Sequence, residues 1–261
     1  MNASRGNATA GFSGGVRHLL RGFALLRERD ILPFVIIPLL VNLVVFAGLI
    51  WLAGDRFDAL MDMLTPQLPE WLAWLAWLAW VLFAVLAALL VFYTFTLLAN
   101  LISAPFNGFL AARVARHFGV ENPLLDEQPA GRQMLDDFGQ ELRKLGYFLS
   151  RAAGLGLLSV LLLFIPLVNA VIPLLWFGFG AWMLALEYSD FHLANQGYRF
   201  AAERKLLREN LRPSLGFGAA AALATLIPFV NFLVMPAAVA GATALWCERL
   251  PQVPESPSIR P

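Results

Sequence analysis

The sequence predicts an all-α integral membrane protein with two long transmembrane helices, two half-membrane (re-entrant) helical hairpins and amphipathic surface helices. Hydrophobic residues make up 59% of the chain and charged residues 14%, and the mean hydropathy is +0.67. A soluble domain has about 45–50% apolar and about 25% charged residues. We therefore treat residues 1–261 as a single membrane domain.

Two long uncharged stretches, Ala152–Leu186 and Ser214–Cys247, are each interrupted by the motif Ile-Pro-[Leu/Phe]-Val-Asn. As one helix the first would be about 52 Å long, whereas a bilayer core is about 30 Å thick. Because proline breaks a helix, we expect each stretch to enter the membrane partway, turn at its prolines and leave by the same face. The alternative is ordinary spanning helices that are kinked by proline.

The N-terminal segment, residues 1–30, is polar at first and then alternates apolar with basic residues from Val16 to Arg29. That spacing is typical of an amphipathic helix on the membrane surface, with a soluble N-terminal helix as the alternative. Residues 31–53 carry no charge and predict the first spanning helix.

A polar loop is expected over 54–70, followed by a second spanning helix over 71–103. Its first turns carry an aromatic stripe that suits the lipid headgroup level or a packing face between protomers, formed by Trp71, Trp74, Trp77 and Trp80. We expect the helix to end at the break Ala104-Pro105-Phe106-Asn107-Gly108.

The distribution of basic residues predicts the topology, because Lys and Arg gather on the cytoplasmic side of a membrane. They number five in 1–30, one in 54–70, six in the polar region 113–151, five in 187–213 and two in the tail 248–261. Residues 54–70 are therefore expected outside, and both termini in the cytoplasm. Re-entrant hairpins over 152–186 and 214–247 keep residues 187–213 inside, so the charge pattern favours them over full crossings.

Catalytic and cofactor motifs are absent from the sequence. There is no G-x-x-x-x-G-K-[ST], G-x-S-x-G or H-E-x-x-H pattern, and the three histidines are isolated residues expected at the surface or at an interface. We expect no enzyme activity, cofactor, metal or nucleic-acid partner. Glu187 and Asp190, at the exit of the first hairpin, could couple protons, act as general acid and base, or mark a helix end.

Polar residues within apolar stretches are candidates for a permeation pathway, because they are costly inside a membrane. Asn107 follows the expected break, and Asn169 and Asn231 lie at the expected hairpin tips. The two tip residues could instead cap broken helix ends. Arg113 and Arg116 share one helix face and either attract an anion or anchor the chain on the cytoplasmic side.

The start of the first spanning helix is the best candidate for anion binding. Backbone N–H groups at a helix N-terminus attract anions, and here they would belong to Ile31 and Leu32. Arg27 and Arg29 precede them and could supply positive charge. Asp30 acts against an anion unless it serves as the helix N-cap.

The chain resembles the bacterial sulfate permease CysZ family. The matching stretches are Phe34–Asn42, Ala104–Gly108, Ala181–Ala185 and Ile227–Trp246. The resemblance implies sulfate uptake across the bacterial inner membrane for cysteine synthesis, and two long helices with two hemi-penetrating hairpins, assembled as a homo-oligomer. Selectivity between sulfate, sulfite and related oxyanions is left open.

One motif of that family is missing. The family has Gly-[Leu/Ile]-Arg at the start of its first long helix, where this chain has Asp30-Ile31-Leu32. Sulfate would then bind the N–H groups of Ile31 and Leu32 beside Arg27 or Arg29, or it would bind elsewhere.

Uptake would be channel-like or coupled to an ion gradient, since no ATP-binding motif is present. A second hypothesis is a membrane assembly or regulatory partner of another transporter. A lipid-modifying enzyme is a third, which no group of residues supports.

Overall fold

A computed structural model describes residues 11–64, 73–120, 130–165 and 168–250. Within these ranges the backbone forms helices and turns and no strand. The elements are α1 (Phe12–Leu25), α2 (Pro33–Leu64), α3 (Ala73–His117), α4 (Ala130–Leu163), a 3₁₀-helix (Val168–Val171), α5 (Ile172–Asn195), α6 (Phe200–Glu209), α7 (Leu211–Thr225) and α8 (Asn231–Arg249).

The expectation of an all-α membrane protein is confirmed. Four of the described segments are long and apolar enough to cross a membrane, namely Pro33–Trp51, Gly139–Leu163, Val168–Asn195 and Asn231–Arg249. The chain divides into two compact units, Pro33–Phe106 and the remainder.

The unit Pro33–Phe106 holds α2 and most of α3, and both helices are longer than predicted. α2 continues to Leu64, so the loop expected from residue 54 begins as helix. α3 runs through Ala104–Gly108 without a break, and its expected end at residue 103 is wrong. Charged residues do not end a helix, and proline is tolerated inside membrane helices.

Parts of the predicted segments lie outside the described residues. They are residues 1–10 of the N-terminal segment, 65–70 of the loop, 71–72 of the second helix, 121–129 of the polar region, 166–167 of the first motif and 251–261 of the tail. Of the tryptophan stripe, the structure describes the side chain of Trp77, which is exposed.

In the second unit, α4 and α5 form an antiparallel hairpin. Trp182 Nε1 donates to the Tyr147 hydroxyl at 3.2 Å, and nearer the turn Trp176 Nε1 donates to Ser159 Oγ at 3.0 Å. The hairpin extends beyond the predicted stretch 152–186 at both ends, because α4 begins at Ala130 and α5 ends at Asn195.

The second hairpin is formed by α7 and α8. Its turn is tight: the Val230 N–H donates to the Pro228 carbonyl at 2.8 Å, and Phe229 has φ +66°, which is strained for a bulky residue. The second Ile-Pro-x-Val-Asn motif therefore coincides with a helix–helix turn, and the described residues of the first motif lie between α4 and α5. How deeply the hairpins enter a bilayer stays a prediction.

Helix α1 packs against the second hairpin, α7 and α8, whereas we expected it to lie on the membrane surface. Its buried face combines three glycines with one histidine and two leucines, namely Gly14, Gly15, His18, Leu19, Gly22 and Leu25. A Cβ at Gly22 would overlap the carbonyl oxygen of Ala237 in α8. Small residues let helix backbones approach closely, as is common between membrane helices.

Helices α5 and α7 approach each other in the same way. A Cβ at Gly218 would overlap the carbonyl oxygen of Ala181 in α5. The middle of α8 is fully buried, and Trp246 near its end donates to Ser189 Oγ at 2.7 Å. The core of this unit is thus built from α1, α5, α7 and α8.

Candidate functional site

The turn between α1 and α2 carries the predicted anion-binding residues. The backbone N–H groups of Ile31 and Leu32 both donate to the Glu28 carbonyl, at 3.0 and 2.9 Å. A tight turn therefore uses both N–H groups, and anion binding by them stays a prediction. Arg27 and Arg29 are exposed in the same turn, and only their guanidinium groups remain available there.

Arg113 of α3 reaches this turn. Its Nη2 lies 2.9 Å from Oδ2 of Asp30, so Arg113 belongs to the same surface as Arg27 and Arg29. Asp30 does not cap α2, which begins three residues later at Pro33. Its carboxylate instead partly neutralises Arg113.

Arg116 is exposed in the last turn of α3, together with His117. Positive charge at the C-terminal end of a helix is favoured by the helix dipole. The position of Arg116, one helical turn after Arg113, is thus accounted for without an anion.

Asn107 is buried, with 6% of its surface exposed. Its Nδ2 has no hydrogen-bond partner within the described part of the chain. The next carbonyl, Gly108 O, accepts a bond from Asn195 Nδ2 of α5 at 3.0 Å. The structure therefore holds an unused amide donor where α3 meets the end of α5.

The tip residues Asn169 and Asn231 are both exposed. Neither caps a helix by its side chain, since the N-cap positions of α5 and α8 are Val171 and Val230 and no side-chain cap bond is formed. Large apolar side chains surround both tips, and Phe229 is 84% exposed. Such surfaces suit contact with lipid or with another protein.

Glu187 and Asp190 lie in a cluster of charged residues where α4, α5 and α6 meet. Lys144 Nζ forms ion pairs with Asp190 and with Glu141. The distance from Nζ to Oε1 of Glu141 is 2.7 Å. A small cavity at this junction has a volume of about 20 Å³ and is lined by Lys144, Met183, Leu186, Glu187, Asp190, Phe200 and Glu203.

Glu203 was not among the predicted residues, although it is the most buried acid of this cluster at 1% exposure. Burial is the main cause that raises its pKa, and the negative charge of Asp190 raises it further. One sequence signal could have found it: Phe200, Glu203 and Leu207 are spaced as one helix face, and all three are buried.

Two of the histidines are buried, although we expected surface or interface positions. His18 Nδ1 lies 2.7 Å from the Gly14 carbonyl, and Nε2 lies 3.1 Å from Glu248 in α8. His192 Nε2 lies 3.7 Å from Cys247 Sγ. In the described ranges no group of three or more His, Cys, Asp or Glu side chains is arranged so that it could hold a metal ion.

Residues 18–236 match the family described as Sulfate transporter CysZ/Etoposide-induced protein 2.4. The chain belongs to this family.

Its relatives include proteins named Sulfate transporter CysZ. The one from Pseudomonas fluorescens (strain Pf0-1) is 46% identical over 238 residues, covering 89% of this chain and 92% of the relative. Those from Pseudomonas syringae pv. tomato and Pectobacterium atrosepticum are 41% and 39% identical, covering 89% and 90% of this chain and 91% and 85% of the relatives. The similarity to the CysZ family seen in the sequence is thereby confirmed.

Proposed function

We propose that this protein takes up sulfate across the bacterial inner membrane without ATP, as a channel-like or ion-gradient-coupled permease that supplies cysteine biosynthesis. The observation that carries the proposal is family membership over residues 18–236. The names of the relatives support sulfate as the substrate, and the apolar helices support a location in the membrane.

The anion would bind the basic surface at the α1–α2 turn, which lies at the expected cytoplasmic end of the pathway. Arg27 and Arg29 are exposed there, and Arg113 is held beside them by Asp30. Arginine binds oxyanions through paired N–H donors. The N–H groups of Ile31 and Leu32 would join only if their bonds to Glu28 opened.

Within the membrane, the pathway would use uncharged amide donors. The unused Nδ2 of buried Asn107 supports a role in anion passage, because an amide can bind an anion without holding it as strongly as a charge. Asn169, Asn231 and Arg116 would contribute at the hairpin tips and at the end of α3. Glu187 and Asp190 would couple uptake to protons if transport is ion-driven.

Both hairpins would enter the membrane partway from the cytoplasmic side, with both termini in the cytoplasm. The antiparallel pairing of α4 with α5 supports this arrangement, since it returns the chain to the face from which it came. The 15 residues of α7 span only about 22 Å, which is less than a bilayer core. Exposed apolar surface, such as that of Phe229 and Phe232, would be covered by lipid or by other copies in a homo-oligomer.

The deciding experiment is radiolabelled sulfate flux into liposomes that contain only this protein. We expect saturable uptake above empty vesicles, with competition by unlabelled sulfate and a graded response to sulfite. A variant with Arg27, Arg29 and Arg113 replaced by Gln should lose most of this uptake while remaining folded. If the wild-type protein gives no flux above empty vesicles but co-purifies with another transporter, the role is that of an assembly partner.

A further inference from the structure

The buried acid Glu203 lacks the hydrogen bonds that would stabilise a negative charge on its carboxyl group. Neither of its carboxyl oxygens has a hydrogen-bond donor among the described residues. Its side chain is 1% exposed and faces the cavity between α4, α5 and α6. An ionised carboxylate that is neither solvated nor hydrogen-bonded is strongly unfavourable.

The charged groups around Glu203 come from two neighbouring helices. α4 supplies Lys144 and Glu141, and α5 supplies Glu187 and Asp190. α7, which also packs against α6, contributes none of the residues that line the cavity. Lys144 is the single cation of this lining, and it is already paired with Glu141 and Asp190.

Asp190 and Glu203 line the same cavity, and their carboxyl groups interact. Two ionised carboxylates are both acceptors and have no hydrogen to share, so they repel each other there. One added proton turns the pair into a donor and an acceptor and removes the excess negative charge.

We propose that this junction is a proton-binding site, in which Glu203 is protonated at neutral pH and donates its O–H to the Asp190 carboxylate. The bound proton joins α6 to α5, while Lys144 joins α4 to the same aspartate. Release of the proton to water would leave two adjacent carboxylates and weaken the attachment of α6 to the α4–α5 hairpin. This inference goes beyond sulfate uptake, and its test does not involve transport.

A bound water is the other way to satisfy Glu203, since a cavity of about 20 Å³ can hold one. Water would let the carboxylate stay ionised, whereas the proposal requires a protonated carboxyl. Infrared spectroscopy of the purified protein in detergent distinguishes the two states, because a protonated carboxyl shows a C=O stretch apart from the amide bands, whereas an ionised carboxylate does not.

The experiment compares the wild-type protein with Glu203→Gln at pH 7, and then follows the wild-type band as the pH is raised. We expect a carboxyl C=O band in the wild-type protein that shifts in D₂O, is missing in Glu203→Gln and disappears only at alkaline pH. Glu209→Gln is the matched control, since Glu209 lies on the same helix with its side chain exposed, and it should keep the band.

The Asp190→Asn variant keeps an acceptor for the Glu203 O–H. The carboxyl band of Glu203 should therefore remain in this variant, at a shifted frequency. A wild-type spectrum without a protonated carboxyl at pH 7 overturns the proposal, as does an identical band in Glu203→Gln. If Glu203→Gln does not fold, the Asp190→Asn spectrum decides: an unshifted band, or none, counts against the shared proton.

Discussion

Arg113 near the end of α3 forms an ion pair of 2.9 Å with Asp30 in the turn before α2. The pair lies within the surface that we propose binds sulfate, so Asp30 competes with the anion for the same guanidinium. Removing the acid and removing the base should therefore have opposite effects on sulfate affinity.

We expect Asp30→Asn to lower the KM for sulfate, because Arg113 is released to the anion. Arg113→Gln should raise the KM about tenfold, the loss of one charge-assisted hydrogen bond. Both side chains are partly exposed, so stability should change by less than about 1 kcal/mol. Initial uptake rates in proteoliposomes measure the effect, and Arg208→Gln, an exposed arginine on α6, is the control that should leave the KM unchanged.

Asn107→Leu should stop most sulfate uptake without lowering the melting temperature. Its Nδ2 is buried without a partner in the described ranges, and removing an unsatisfied polar group relieves a cost of about 1–3 kcal/mol. Asn195→Leu is the contrasting variant: it breaks a bond to Gly108 O, so stability should fall while uptake per folded molecule is kept. Normal uptake by Asn107→Leu would remove this residue from the pathway.

Gly218→Ala should destabilise the fold by about 1–3 kcal/mol, because the new Cβ would meet the Ala181 carbonyl and force α5 and α7 apart. Gly178→Ala in α5 is the matched control, since a Cβ there meets no atom within 4 Å. The control should be neutral or slightly stabilising. Thermal unfolding in detergent measures both, and equal melting temperatures for the two variants would contradict the packing described for α7.

The stability of the protein should fall as the pH rises, because burial raises the pKa of Glu203 above its ordinary value of 4.5. A raised pKa means that the folded state binds the proton more tightly than the unfolded state. The contribution of Glu203 to the free energy of unfolding is therefore fully present below about pH 4.5, and it is lost as the pH rises through the raised pKa.

Glu203→Gln cannot release a proton, so its melting temperature should depend less on pH than that of the wild-type protein across this window. Glu209→Gln serves again as the control and should follow the wild-type curve. Parallel curves for the wild-type protein and Glu203→Gln would contradict the assignment of the proton to this residue.

The hairpin turns could be predicted because their signal is local. Proline and asparagine act on the backbone of their own few residues, and both motifs fall where helices end. The outer ends of α4 and α5 could not be placed by the same reasoning, since we took Arg151 and Glu187 as boundaries. Both residues lie within helices that continue past them.

The packing of α1 and the burial of Glu203 depend on contacts far apart in sequence. The glycines of α1 contribute little to an apolar pattern, yet Gly22 marks the face that meets α8. Glu203 follows an apolar spacing with Phe200 and Leu207, but its partners lie on α4 and α5. The pairing of Asp30 with Arg113 likewise needs the fold, because 83 positions separate them.

The proposed topology requires that both hairpins return to the cytoplasmic face, and cysteine labelling tests this most directly. Lys205 is exposed on α6, between the hairpins, and Cys247 is the single native cysteine. In a Cys247→Ser background, Lys205→Cys in intact spheroplasts should resist a membrane-impermeant maleimide and react only after permeabilisation. Arg56→Cys, in the segment expected outside, should react in both conditions. Labelling of residue 205 in intact spheroplasts would place α6 outside and contradict the account.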